Sequence, residues 1–135
     1  MNSMIGDSKK RVKSVVIIGA STNKDKFGNK AVRSYLKRGW IVYPVNNNAV
    51  RVEGLKAFES VSDLPKNVVP DIASFYIPPS AGILVAPEVV KKGIKVVYLN
   101  PGSESPELIN YFKNNKITPL MVCSIRAIGE KPEDY

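Results

Sequence analysis

Apolar residues in this chain come in short β-branched runs, separated by longer stretches in which they recur every three or four positions. The first run, Ser14 to Ile18, is apolar after its serine, as expected of a strand covered on both faces. It ends in Gly19-Ala20-Ser21-Thr22-Asn23, a turn-forming cluster. From Phe27 or Gly28 to Lys37, Ala31, Val32, Tyr35 and Leu36 share one face of a predicted helix, which Gly39 stops. Trp40 to Val45 reads as a second strand, closed by Pro44 and Asn46-Asn47-Asn48. Val52 to Phe58 reads as a short connector turning at Gly54, and Val61 to Leu64 as one helical turn. Ile72 to Ile77 is a third strand, stopped by Pro78-Pro79, and a helix is expected from about Ala81 to Lys92. Pro87 has no N–H to give a helix interior, so it predicts a kink or a new start there. Lys95 to Leu99 makes a fourth strand that leaves through Asn100-Pro101-Gly102. Ser105 is placed to cap the next helix, with Pro106 at its first position and Glu107 near its positive end. Leu108, Ile109 and Phe112 would face the core, as would Trp40, Tyr35 and Leu36. A fifth strand is expected from about Thr118 to Cys123, with Cys123 a small core residue at its end.

Strand alternating with helix in this way predicts the α/β class: a Rossmann-like three-layer fold with a five-stranded, mainly parallel sheet and right-handed crossovers. Residues 1–12 read as a flexible basic leader and 13–135 as one domain, a length sufficient for a continuous core. In such sheets a ligand lies outside the carboxyl ends of the strands, where the chain order reverses. Function is therefore expected in the loops 19–28, 46–51, 78–82 and 100–103.

Composition narrows the chemistry. The chain of 135 residues carries 20 Lys and Arg against 12 Asp and Glu, a formal charge of +8. That excess favours an anionic partner but does not separate a phosphorylated small molecule from nucleic acid. No reading helix or aromatic platform supports specific nucleic-acid binding, and no apolar run approaches a membrane span. There is no histidine, which excludes Ser-His-Asp and Cys-His catalysis, phosphohistidine intermediates and His-based metal sites. The single cysteine excludes an internal disulfide and Cys-rich zinc sites. Without a secretory pattern at the start, the cytoplasm is the expected setting. No pair of carboxylates falls where acid and base would be needed, so neither a catalytic constellation nor a metal site is expected.

The loop from Gly19 to Asn29 carries the strongest local signal. It joins a strand to a helix, so backbone N–H groups at the helix start can face a phosphate. Gly19 permits close backbone approach, Ser21 and Thr22 add hydroxyls, and Lys24 and Lys26 add charge. The loop is not a G-x-G-x-x-G fingerprint, because Ser21 stands where the second glycine belongs, and no P-loop pattern is present. The second strand ends in neutral Val45-Asn46-Asn47-Asn48, without the acid that accepts from the ribose of NAD. With Arg51 nearby, that loop tolerates a ribose bearing a phosphate. Lys24, Lys26, Arg51 and Lys56 each read equally well as plain surface charges. Cys123 near Arg126 admits a thiol-exchange reading, for which core packing is the simpler alternative.

The segments Val16-Ile17-Ile18-Gly19-Ala20-Ser21, Lys26-Phe27-Gly28-Asn29, Tyr43-Pro44-Val45-Asn46 and Gly54-Leu55-Lys56-Ala57-Phe58 resemble the stand-alone CoA-binding domain proteins. More distantly they resemble the CoA-binding domain of the succinyl-CoA synthetase α subunit. The likeness continues through Ile77-Pro78-Pro79, Gly93-Ile94-Lys95 and Asn100-Pro101-Gly102-Ser103-Glu104-Ser105, covering roughly Val12 to Cys123. It departs at Asn47, where relatives commonly have proline. The resemblance implies coenzyme A or acyl-CoA as the ligand; the missing histidine and the lack of a catalytic constellation lead us to expect binding without catalysis. The pyrophosphate would lie on Gly19, Ala20, Ser21, Thr22, Lys24, Lys26, Phe27, Gly28 and Asn29. Val45 and Asn46 would line the adenosine pocket, Ile77 and Pro78 would pack on the nucleotide, and Asn100, Pro101 and Gly102 would flank the pantetheine. The role expected is a carrier, sensor or accessory module, alone, as a homodimer or beside an acyl-CoA enzyme. The alternative is an NAD(P)-binding oxidoreductase or a nucleotide-sensing regulator.

Overall fold

The computed structural model describes residues 11–135; most of the expected leader lies outside them. Five parallel strands form one sheet: β1 (Ser14–Ile18), β2 (Ile41–Val45), β5 (Ile72–Phe75), β6 (Val96–Leu99) and β7 (Thr118–Leu120). Their spatial order is β2-β1-β5-β6-β7, so the sheet is parallel throughout rather than mainly so. A two-stranded hairpin, β3 (Arg51–Val52) and β4 (Leu55–Lys56), stands beside it. The helices are α1 (Phe27–Lys37), α2 (Pro79–Lys92), α3 (Pro106–Asn114) and the four-residue α4 (Ser124–Ala127).

The two-residue period of β1 decides which face each side chain joins. Val16 and Ile18 enter the core with Phe75, Ala86, Val89, Leu108 and Phe112, under α2 and α3. Val15 and Ile17 enter the opposite core with Ala31, Val32, Tyr35 and Ile125, under α1 and α4. A strand enclosed on both sides has no polar face, which is why this run reads as continuously apolar. Prolines interrupt only the outer strands: Pro44 lies in β2 and Pro119 in β7, where a missing N–H does not break an interior ladder.

Several boundaries differ from expectation. Trp40 stands just before β2, because its N–H closes the end of α1 on the Tyr35 carbonyl. It is half-buried, with its ring edge-on to Tyr35. Leu36, one position round the helix from Tyr35, lies at the margin of the apolar stripe and is exposed. β5 ends at Phe75, and α2 begins at Pro79, where a proline at the first helical position sacrifices no hydrogen bond. α2 runs through Pro87 in a single segment, with that proline exposed. β7 stops at Leu120, so Cys123 does not end a strand but precedes α4, half-buried. The segment from Val52 to Phe58 is not a plain connector. It contains the hairpin turn Glu53-Gly54, with φ of 50° and 80°, the paired positive values of a type I′ turn.

Candidate functional site

The chain order reverses between β1 and β5, and Gly19 sits at that point. Its φ is +93°, and a Cβ there would lie 2.6 Å from the Tyr76 carbonyl oxygen and 2.9 Å from Ile77 Cγ2. Only glycine lets the chain leave β1 against the end of β5. Gly28 has the complementary task, since a methyl group on it would overlap the Gly19 carbonyl oxygen. The start of α1 thus rests directly on the turn it follows. That is the close helix–strand approach that the last glycine of a dinucleotide fingerprint provides, here without the middle glycine.

The loop between these glycines is held from below. Asn29 is wholly buried. Its Nδ2 donates to the Ser21 carbonyl at 2.8 Å and to Glu53 Oε2 at 2.9 Å, while its Oδ1 accepts from Arg33 Nε at 2.7 Å. Arg33 also donates to the Lys24 carbonyl at 2.8 Å. Glu53 accepts from Lys24 Nζ at 3.0 Å. Hydrogen bonds from the Asn29 amide and the Lys24 ammonium hold its carboxyl below the usual glutamate range. From the β2 side, the Gly19 and Ala20 N–H groups both donate to the Val45 carbonyl, and Asn46 Nδ2 donates to the Ala20 carbonyl. Asn46 Oδ1 meanwhile accepts from the N–H groups of Asn48 and Ala49, folding the neutral loop after β2 back on itself.

What remains outward is the run from Thr22 to Phe27, all exposed and including Lys24, Asp25 and Lys26, with Ser21 and Ile77 half-buried and Pro78 exposed beside them. Neither α1 nor α2 has a side-chain cap or an acid in its first turn. By contrast α3 is capped by Ser105 and carries Glu107 in its first turn. The two helices that follow the switch-point strands therefore leave their N-terminal dipoles without an acid in the first turn, although Asp25 stands just ahead of α1; a helix start of this kind favours an anion.

Asn100 is deeply buried, and its side chain is consumed by the framework. It donates to Ser74 Oγ and the Phe75 carbonyl, and accepts from Ser124 N and Oγ. Ser124 Oγ also lies 2.8 Å from Ser74 Oγ and 2.7 Å from Tyr76 Oη, and its carbonyl accepts from Tyr35 Oη. Burial pushes the Tyr35 and Tyr76 hydroxyls up, so both serve as neutral partners. This network ties the ends of β5 and β6 to α4, leaving Pro101 and Gly102 exposed above it. Asn29 and Asn100, expected at the ligand, turn their side chains into the framework beneath the loops. Glu53 and Ser124 leave no signal in the sequence because their partners lie far away along the chain, whereas Arg33 stands only four residues from Asn29, a spacing legible as neighbours on one helix face.

A groove of about 990 Å³ opens at the other end of the sheet, lined among others by Lys13, Arg38, Trp40 and Tyr98. It lies at the amino ends of the strands and at the carboxyl end of α1, where the helix dipole repels anions. Its acid, Asp71, is satisfied by Arg11 and Ser14; despite the opposing effect of burial, these bonds hold its carboxyl below the usual aspartate range. Size alone does not make it the candidate.

A parallel sheet of order 2-1-3-4-5 when its five strands are counted along the chain, with a glycine turn at the switch point, defines a Rossmann-like nucleotide-binding domain. Residues 13–129 match the family described as CoA binding domain. The chain belongs to that family. It is 32% identical over 118 residues to an ADP-forming acetate–CoA ligase of Methanocaldococcus jannaschii, covering 87% of this chain and 16% of that protein. A conserved hypothetical protein from Pyrococcus furiosus has 34% identity and a TM-score of 0.77, over 86% of this chain and 98% of its own. An acetyl-coenzyme A synthetase of Ca. Korarchaeum cryptofilum, solved with phosphate and ADP, shares 26% identity and a TM-score of 0.72, over 82% of this chain and 26% of its own. The chain thus spans about a sixth of the length of the first of these ligases. Among the described residues, no helix is long and apolar enough to cross a membrane.

Proposed function

We propose that this chain binds coenzyme A or an acyl-CoA without itself catalysing a reaction, as a carrier, sensor or accessory module in the cytoplasm. The observation that carries this reading is the glycine turn at the switch point, flanked by two uncapped helix starts, in a member of a CoA binding domain family. The pyrophosphate lies over the Gly19–Phe27 turn, the adenosine against Val45, Asn46, Ile77 and Pro78, and the pantetheine runs toward Pro101 and Gly102. The chain has no histidine to carry a phosphoryl group. An acyl-CoA enzyme is therefore the natural partner for whatever chemistry follows.

The test is a thermal-shift panel of CoA, acetyl-CoA, NAD, NADP and ATP, since a ligand that prefers the native state raises the melting temperature. CoA and acetyl-CoA should stabilise the protein, and Lys26→Glu, at an exposed position beside the turn, should reduce that shift while leaving the unliganded melting temperature unchanged. Stabilisation by NAD with none by CoA would instead favour an oxidoreductase.

A further inference from the structure

We propose that Arg51 and Lys56 form a clamp for a phosphate monoester on the ligand's ribose, the group that distinguishes coenzyme A from its 3′-dephospho form. This rests on the CoA-binding reading above and assigns its specificity to the β3–β4 hairpin.

The hairpin register sets Arg51 directly opposite Lys56, so the two cations leave the same face. Like charges in that relation destabilise a strand pair, and an isolated two-stranded hairpin is marginal to begin with. This one is anchored through its other face, where Val52 is buried and Leu55 packs into the core under α1. The repulsion between the two cations is not relieved locally. Among the described residues neither forms a salt bridge. Arg51 Nη1 donates to the Gly54 carbonyl at 3.2 Å, and the Lys56 ammonium lies 5.2 Å from the centre of the Phe58 ring. The acid nearest Arg51 along the chain, Glu53, is engaged with Lys24 and Asn29 instead, and the acid three residues beyond Lys56, Glu59, forms no salt bridge with it among the described residues.

The hairpin is also fastened to both parts of the proposed site. Glu53 binds the glycine loop, and the Asn46 N–H donates to the Phe58 carbonyl just after β4. Val45 at the end of β2 bridges Phe58 as well. In coenzyme A one ribose carries the 5′-pyrophosphate and the 3′-phosphate, so the second anion must fall beside the first and beside the adenosine loop. A phosphate monoester carries a charge of about −2 near neutral pH. It would neutralise both cations, with the Arg51 guanidinium able to donate two parallel bonds.

The experiment is isothermal titration of the wild type, R51Q, K56Q and the double variant with CoA and 3′-dephospho-CoA, and with NADP and NAD. The wild type should prefer CoA over dephospho-CoA by at least about tenfold, the factor conferred by one charge-assisted hydrogen bond. The double variant should bind CoA only as well as dephospho-CoA, with its dephospho-CoA affinity unchanged. Equal wild-type affinity for the two, or variants that keep the preference, would overturn the clamp and leave CoA binding intact. Equal loss of both ligands in the variants would also overturn it, since the residues would then act on the fold. A preference for NADP over NAD, with none for CoA over dephospho-CoA, would overturn CoA as the source of the phosphate. Failure of the wild type to bind CoA or dephospho-CoA would overturn the underlying reading and the clamp together.

Discussion

Single residues around the glycine turn divide by what their side chains already touch. Gly19 and Gly28 are fixed by lack of space and Asn29 by three hydrogen bonds, while the exposed Lys26 side chain is available to a ligand. Glu53 adds a pH dependence. Its carboxyl is held below the usual glutamate range by Asn29 and Lys24. A depressed folded-state value contributes stability that is present above the unfolded value and disappears as pH falls through the folded one. Melting temperature against pH should therefore decline through the acidic range more steeply in the wild type than in Glu53→Gln. Parallel curves would show that this carboxylate is not held as described. Because Glu53 is partly open to solvent, the effect should be small.

Between elements, the informative contacts join segments distant in sequence. Ser124, in a helix of only four residues, meets Ser74 at the middle of β5, Tyr76 just beyond it and Asn100 after β6. Replacing it with alanine leaves Asn100 Oδ1 without one partner and removes the hydroxyl that Ser74 and Tyr76 share. Ser124→Ala should cost about 1–3 kcal/mol, read as a lower urea midpoint at unchanged denaturant slope. No loss of stability would mean the network is dispensable. The hairpin shows why such elements are hard to foresee. Glu53-Gly54 turns the chain as Asn-Gly would, but glutamate is a poor advertisement for positive φ. Its place is stabilised by Asn29, 24 positions earlier.

For the molecule as a whole, the formal charge of +8 does not gather into one patch in the sequence, and several cations pair with acids brought beside them by the fold, as Lys24 does with Glu53 and Arg38 with Glu130. What concentrates positive potential at the carboxyl end of the sheet is the direction of the parallel strands, which starts α1 and α2 there. Exposed charges are screened within about 8 Å at physiological ionic strength. CoA affinity should accordingly fall as salt rises, while the unliganded melting temperature moves little. Titrations at low and high salt check this, and a salt-independent affinity would remove the exposed cations from the binding account.

Read alone, the sequence determined the order of strands and helices, the parallel sheet and the turn where a phosphate is expected, because these depend on local periodicity, glycine and proline. It also displayed the segments by which the family is recognised. Tertiary structure alone decided that Gly19 faces the Tyr76 carbonyl, that Asn29 and Asn100 turn their amides inward, and that Arg51 stands across from Lys56. It decided too that Trp40 closes α1 and Cys123 leads into α4. Those outcomes depend on which distant groups satisfy a buried donor or fill a gap, and contacts of that kind leave no periodic trace along the chain.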